Sequence, residues 1–348
     1  MVGKILWASI ALAPVTILVD LLFHPGHVAL FLLAALALVP LAWLIGEATD
    51  QAAEHTGPGI GGFLNASFGN APELIIALFA IDDALPAVVR GSIAGSIVSN
   101  ILLVLGAAML AGGEGRLDRR SLTVQLGLVA VAVALFLVPS IPGWTGDPER
   151  HTLAVLTIPV SVLLLLIYVG VTIDGLRRHR RRHAESGDEA EAGRWSLRLA
   201  IVVLAGATVL TAVISEILVH SLDAFAKSAG LSEFFVAAVI VAIVGNAAEH
   251  GGAVVIALRG KMELATEIAV SSSAQVGLLV APAVALLSWA LGKPLPLSFR
   301  PVELIAMGGA ALGVAVVIRD GRSRRWEGVL LIGVYVAVVV MFYLVGDR

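Results

Sequence analysis

Eleven runs of about twenty mostly apolar residues, each closed by charge or by Pro and Gly, constrain this chain more than any other feature. They fall near residues 5–23, 27–46, 58–80, 85–111, 122–140, 152–174, 196–219, 233–258, 262–290, 300–318 and 327–345. A run of that length spans the hydrocarbon core of a bilayer, where a helix satisfies its own backbone and an open strand does not. The expected fold is therefore an all-α polytopic membrane protein of about 11 transmembrane helices, seated in the cell (inner) membrane. Composition agrees: 58% of the 348 residues are hydrophobic and 14% charged, against about 25% charged in a soluble domain. The first run is read as a retained leading helix (1–24), because cleavage after Ala13 leaves a signal-peptide core of only about six residues.

The charges sit in short loops between apolar runs, so the net charge of −3 points to no nucleic-acid partner. With no Cys in the chain, disulfides, thiolate metal sites and cysteine nucleophiles are excluded. On the eleven-span count, 17 of the 23 Lys and Arg residues lie on the side of the N-terminus and 6 on the other. The positive-inside rule then places the N-terminus in the cytoplasm and the C-terminus outside. The longest polar stretch, 175–195, becomes a cytoplasmic linker that is basic from Arg177 to Arg182 and acidic at Glu185, Asp188, Glu189 and Glu191.

The linker divides a duplication. Gly69-Asn70-Ala71-Pro72-Glu73 recurs as Gly245-Asn246-Ala247-Ala248-Glu249, an offset of 176, and at the same offset Ser96 matches Ser272. The copies lie in the third and eighth spans, an odd number apart, so they cross the membrane in opposite directions. This predicts two inverted five-helix repeats, 25–174 and 196–348, with broken helices meeting at the midplane, an arrangement used by many secondary transporters.

Each copy puts Asn and Glu on one helical face inside an apolar span, where a carboxylate is costly unless it meets a partner, a cavity or an ion path. Packing alone is the competing account, and it is weakest for the symmetric pair. Gly before each Asn, and Pro72 in the first copy, loosen the helical ladder and free carbonyls. Glu73, Glu249, Asn70 and Asn246 thus offer an all-oxygen set for a hard cation such as Ca²⁺, which takes about six to eight oxygen ligands. Of 8 histidines only His250 lies deep in a span, too few ligands for zinc. A second polar stripe follows each motif: Ser92, Ser96, Ser99 and Asn100 in the fourth span, and Glu267, Ser271, Ser272 and Gln275 in the ninth. Ser96, Ser99, Asn100, Ser272, Gln275 and His250 are candidates to line a cavity, although Gly91-x-x-x-Gly95 is also a close-packing pattern. Glu47 and Glu216 occupy corresponding spans of the two halves and are candidates for gating or a proton path.

The stretch Gly62-Phe63-Leu64-Asn65-Ala66-Ser67-Phe68-Gly69-Asn70-Ala71-Pro72-Glu73, with Gly95-Ser96-Ile97-Val98-Ser99-Asn100, resembles the first signature of the calcium/proton exchanger family. Val244-Gly245-Asn246-Ala247-Ala248-Glu249-His250, with Ser272-Ser273-Ala274-Gln275, resembles the second. The resemblance covers the chain and implies a secondary antiporter, not an enzyme, that exports Ca²⁺ in exchange for H⁺ without a cofactor. It further implies that Glu73 and Glu249 bind Ca²⁺ and protons in turn, assisted by Asn70 and Asn246. Pro72 stands where the family commonly has Thr, which leaves a Na⁺-coupled or broader divalent-cation exchanger on the same fold as the alternative.

Overall fold

The computed structural model describes residues 7–23, 25–147, 150–186 and 195–345, with side chains described for all of these except 57–63, 65–66 and 176–186. Linker residues 187–194, with Asp188, Glu189 and Glu191, and both chain termini lie outside the described residues. Almost everything described is helical: α1 (Trp7–Phe23), α2 (His27–Phe68), α3 (Ala71–Asp82), α4 (Pro86–Gly112), α5 (Arg119–Gly143) and α6 (His151–Ser186) precede the linker. After it come α7 (Leu197–Ala229), α8 (Glu233–Gly245), α9 (Ala247–Leu258), α10 (Met262–Ala290), α11 (Pro301–Asp320) and α12 (Arg325–Val345). Among the described residues, eight helices are long and apolar enough to cross a membrane, and nine if α8 and α9, bent by 56° at their junction, are one span.

The largest departure from the expected spans is α2. The apolar pattern predicts a gap between 46 and 58, yet the helix runs unbroken for 42 residues. Glu47-Ala48-Thr49-Asp50-Gln51-Ala52-Ala53-Glu54 is polar enough to end an apolar run, but its Ala, Glu and Gln favour helix, and the backbone stays helical even through Gly57-Pro58-Gly59. The break comes later, at Gly69-Asn70.

The duplication is visible in the packing. α2 lies along α7, and the short helices α3 and α9, each 12 residues long, begin directly after the motif asparagines. α4 packs on α8, and its last turns meet α12; α10 packs on α9 and α5, and α11 on α5. At Gly91 an added Cβ falls 2.7 Å from the Phe234 carbonyl, and at Gly95 it collides with the Ala238 carbonyl, so α4 and α8 touch backbone to backbone. One large buried cluster centred on α3, α4, α8 and α10 forms the core, while Leu166, Val202, Ile305 and Leu312 are exposed on the outside, as a lipid-facing surface requires.

The two ends of the bundle differ. At the linker end, the Trp195 amide donates to Gln51 Oε1 at 3.0 Å, and Trp7 packs edge-on against Trp43. A two-stranded ribbon, β1 (Gly115–Arg116) with β2 (Arg322–Ser323), closes the loops there. At the opposite end Lys293 pairs with Asp82 at 2.7 Å, and His220 lies 3.4 Å from Asp83. The Lys293 ammonium holds the Asp82 carboxyl below its ordinary range.

Candidate ion site

Both motifs break the chain in the same way. Asn70 has φ −102° and ψ 17°, Asn246 φ −90° and ψ 15°, so each leaves the helical region for the sparsely populated bridge between helix and strand. Pro72 falls in the first turn of α3, where a missing N–H costs nothing. Glu73 and Glu249 consequently stand in the first turns of α3 and α9, where unpaired N–H groups and the helix dipole favour an anion.

The asparagine side chains stitch the two halves together. Asn70 Nδ2 donates to Gln275 Oε1 at 2.7 Å, and Asn246 Nδ2 donates to Ser96 Oγ at 2.8 Å, each reaching from one half into the polar stripe of the other. Asn100 anchors a further network: its Nδ2 donates to Asn246 Oδ1 at 3.1 Å and to Ser272 Oγ at 2.9 Å, and His250 Nε2 lies 3.1 Å from its Oδ1. The Asn100 amide is fully used if His250 carries its proton on Nε2, which fixes both orientations. Ser99 is buried and donates to the Ser96 carbonyl. All the motif and cavity candidates are thus brought together, but Asn100, Ser99 and Ser96 hold the site in shape more than they face open space.

The glutamates remain free to bind. Glu73 is 6% exposed, and neither of its carboxylate oxygens, nor Glu249 Oε2, accepts a hydrogen bond. Glu73 lies against Gly245 of the second motif, and the two carboxylates sense each other electrostatically. Ser272 hydrogen-bonds Glu249. Buried carboxylate oxygens without partners are expensive, which makes a cation or a proton the natural complement.

A cavity of about 250 Å³ reaches this point, lined by Asp50, Gly69, Glu249, Ser271, Ser272 and Gln275 among others. It separates α2 from α10, and its mouth is at exposed Asp50, one residue from the Gln51 that binds Trp195, so it opens toward the linker end. That space is roomy enough for an ion with part of its hydration shell. Among the described residues no three His, Asp or Glu side chains cluster to hold a metal. Of the two motif glutamates, Glu249 lines this cavity, and Glu73 lies against Gly245 outside its lining.

Glu47 is half-buried on α2, one turn from Asp50, and Glu216 is exposed on α7; neither is among the residues lining this cavity. Asp50, not among the residues singled out from the sequence, is the carboxylate at the mouth. Three further features have no sequence signal: α4 widens to a π-helix at Ser99–Val104 and α10 at Val276–Val280, nearly equivalent positions at the 176 offset, and α8 widens at Ala237–Val241. Such wide turns recur at functional sites.

The profile of the sodium/calcium exchanger protein family matches residues 26–173 and 199–344. A Ca²⁺/H⁺ antiporter of Aphanothece halophytica is 36% identical over 340 residues, 92% of this chain and 91% of the relative. The Ca²⁺/H⁺ antiporter ChaA of Bacillus subtilis is 36% identical over 342 residues, 95% and 96% of the two chains. Among solved structures, native YfkE superposes with a TM-score of 0.84 at 33% identity, covering 98% of this chain and 100% of that one. Matched on both sides of its linker and along nearly its whole length, the chain belongs to the sodium/calcium exchanger protein family.

Proposed function

We propose that this protein is a secondary antiporter that exports Ca²⁺ from the cytoplasm in exchange for H⁺ by alternating access, with Glu73 and Glu249 as the shared carboxylates. The observation that carries this reading is the pair of buried glutamates with unpaired oxygens, placed alike on two short helices, with Glu249 lining the cavity and Glu73 seated against the other motif at Gly245. Two ionised carboxylates are neutralised by one Ca²⁺ or by two protons, whereas the empty charged site is the costly one to carry between the membrane faces. Loaded crossings in both directions with empty ones suppressed amount to exchange. The Ca²⁺/H⁺ antiporters of similar sequence support the choice of ions.

Asn70 and Asn246 set the helix breaks, Ser272 and Gln275 line the cavity, and Ser96, Ser99, Asn100 and His250 hold that wall in place. Glu47, one turn from Asp50, belongs on the proton path at the mouth, while Glu216 on the outer face of α7 is left to gating. The two profile matches either side of the linker support paired five-helix repeats. The excess of Lys and Arg at the linker end supports placing that end, and the open cavity, in the cytoplasm. The test is ⁴⁵Ca²⁺ uptake into proteoliposomes under an imposed pH gradient, with and without Na⁺. Uptake that follows the pH gradient is expected; uptake that follows only a Na⁺ gradient overturns the proton-coupled reading.

A further inference from the structure

The polar stripe of α10 extends beyond the ion site. Gln275 accepts from Asn70 and Ser271 lines the cavity, but Glu267, one turn earlier, lines a second hollow of about 470 Å³ at the linker end. Arg116, Lys261 and Glu263 line the same hollow. Glu267 Oε1 accepts from Ser121 Oγ of α5 at 2.6 Å, and Gln125 Nε2 donates to that hydroxyl at 3.2 Å. The groups facing the carboxylate are thus two cations, one anion and two neutral polar side chains.

The duplication supplies an internal control. At the 176 offset, Glu267 and Ser271 correspond to Gly91 and Gly95, the two residues through which α4 touches the α8 backbone. In the first half this face only packs, and glycine suffices. The second half carries a carboxylate and a hydroxyl there instead, in a segment long and apolar enough to span, where a carboxylate is costly without a task.

We propose that Glu267 is a proton-relay residue of the exchange, passing protons between the hollow at the linker end and the ion cavity by way of Ser271. The proposal rests on the proton-coupled reading above. A proton from water in the hollow bonds to the Glu267 carboxylate. When it leaves, that O–H bond breaks as the Ser271 hydroxyl, about 6 Å further along the helix axis, or a water between them takes the proton up. The hydroxyl, which donates to the Ile268 carbonyl at 3.2 Å, turns to release its own proton into the cavity, and Glu267 returns to its ionised form. A hydroxyl both accepts and donates, so no charge is left on it.

Two assays on the same proteoliposomes decide the matter: ⁴⁵Ca²⁺ uptake driven by a pH gradient, and Ca²⁺/⁴⁵Ca²⁺ counterflow at equal pH, which needs no net proton movement. Glu267→Gln still offers an oxygen to Ser121 and so preserves the helix contact. It is expected to slow pH-driven uptake about a hundredfold, the lower range for loss of a proton-transfer group, and to leave counterflow within about twofold. Glu267→Asp, which keeps the carboxyl group, should retain most of the pH-driven uptake that Glu267→Gln loses and serves if the glutamine variant fails to insert. Equal loss in both assays, or loss in neither, overturns the relay. Failure of the wild-type protein to couple Ca²⁺ to the pH gradient would instead remove the exchange reading itself.

Discussion

The Glu73 carboxylate rests on Gly245: a Cβ added at that glycine would lie 3.6 Å from Glu73 Cγ and 3.7 Å from its Oε1. The functional group of one motif is therefore seated on the first residue of the other. Those distances are ordinary contact, so Gly245→Ala should fold and insert. Its methyl group nevertheless covers one approach to a carboxylate that must exchange water for Ca²⁺. An affinity loss of about tenfold, or about 1.4 kcal/mol, is expected in ⁴⁵Ca²⁺ binding, with unchanged detergent-extracted yield. Wild-type affinity in this variant would mean that Ca²⁺ does not approach from that face.

Glu73→Gln and Glu249→Gln should each reduce Ca²⁺ exchange by more than about a hundredfold, since each removes one of only two charges facing a divalent ion. Neither should prevent insertion, because Glu73 gives up no hydrogen bond on substitution. Uptake in proteoliposomes, normalised to protein incorporated, checks both. Normal transport by the two variants would reduce the glutamates to a structural role.

Asn246→Ala removes bonds to Ser96, to the Ala242 carbonyl and from Asn100, all in a buried network. At about 1 kcal/mol each, with Asn100 left short of a partner, the loss is on the order of 3 kcal/mol. A clear fall in melting temperature by scanning fluorimetry is expected. Asn100→Ala should cost a similar amount, and the double variant less than the sum, because both belong to one network.

Protons and Ca²⁺ compete for the same two carboxylates, so apparent Ca²⁺ affinity should weaken as pH falls. The sign follows from mass action: protonation neutralises the site and withholds it from Ca²⁺. Where both carboxylates titrate, each unit of pH lowers affinity by up to about a hundredfold if two protons leave per Ca²⁺, and about tenfold if one does. Uptake titrated against Ca²⁺ across pH 6 to 8, a window of about two units around neutrality, reads the slope directly. A flat profile rules out competition.

Topology is open to labelling. With single cysteines introduced into this cysteine-free chain, a reagent confined to the outside should reach position 348 and not the 175–195 linker. Labelling of both from one side would require an even number of crossings between them.

Much of the site was legible because a carboxylate in an apolar segment has few innocent explanations, and Glu73 and Glu249 share theirs. What the side chains do to each other was harder to read. Asn246 looks like an ion ligand from its motif, but its Oδ1 accepts from Asn100, a residue 146 positions away whose partner follows from three-dimensional packing alone. Asp50 was passed over because a charge at the end of an apolar run ordinarily marks the membrane surface, and only the continuation of α2 carries it to the cavity mouth. Helix length failed for the same reason: apolar periodicity reports where lipid ends, while Ala, Glu and Gln let the backbone continue.

The paired π turns at Ser99–Val104 and Val276–Val280 bear on the ancestry of the molecule. A π turn holds one residue more than an α turn of similar rise, so each is a one-residue insertion accommodated without breaking the helix. The 176 offset nonetheless runs without a gap from the motif glutamates through Ser96 and Ser272 to Val104 and Val280. Had the extra residue entered one copy after duplication, the register would slip by one at that point. If the halves descend from one gene segment, the insertion was already present in it, and the wide turn is older than the two-fold protein that now uses it.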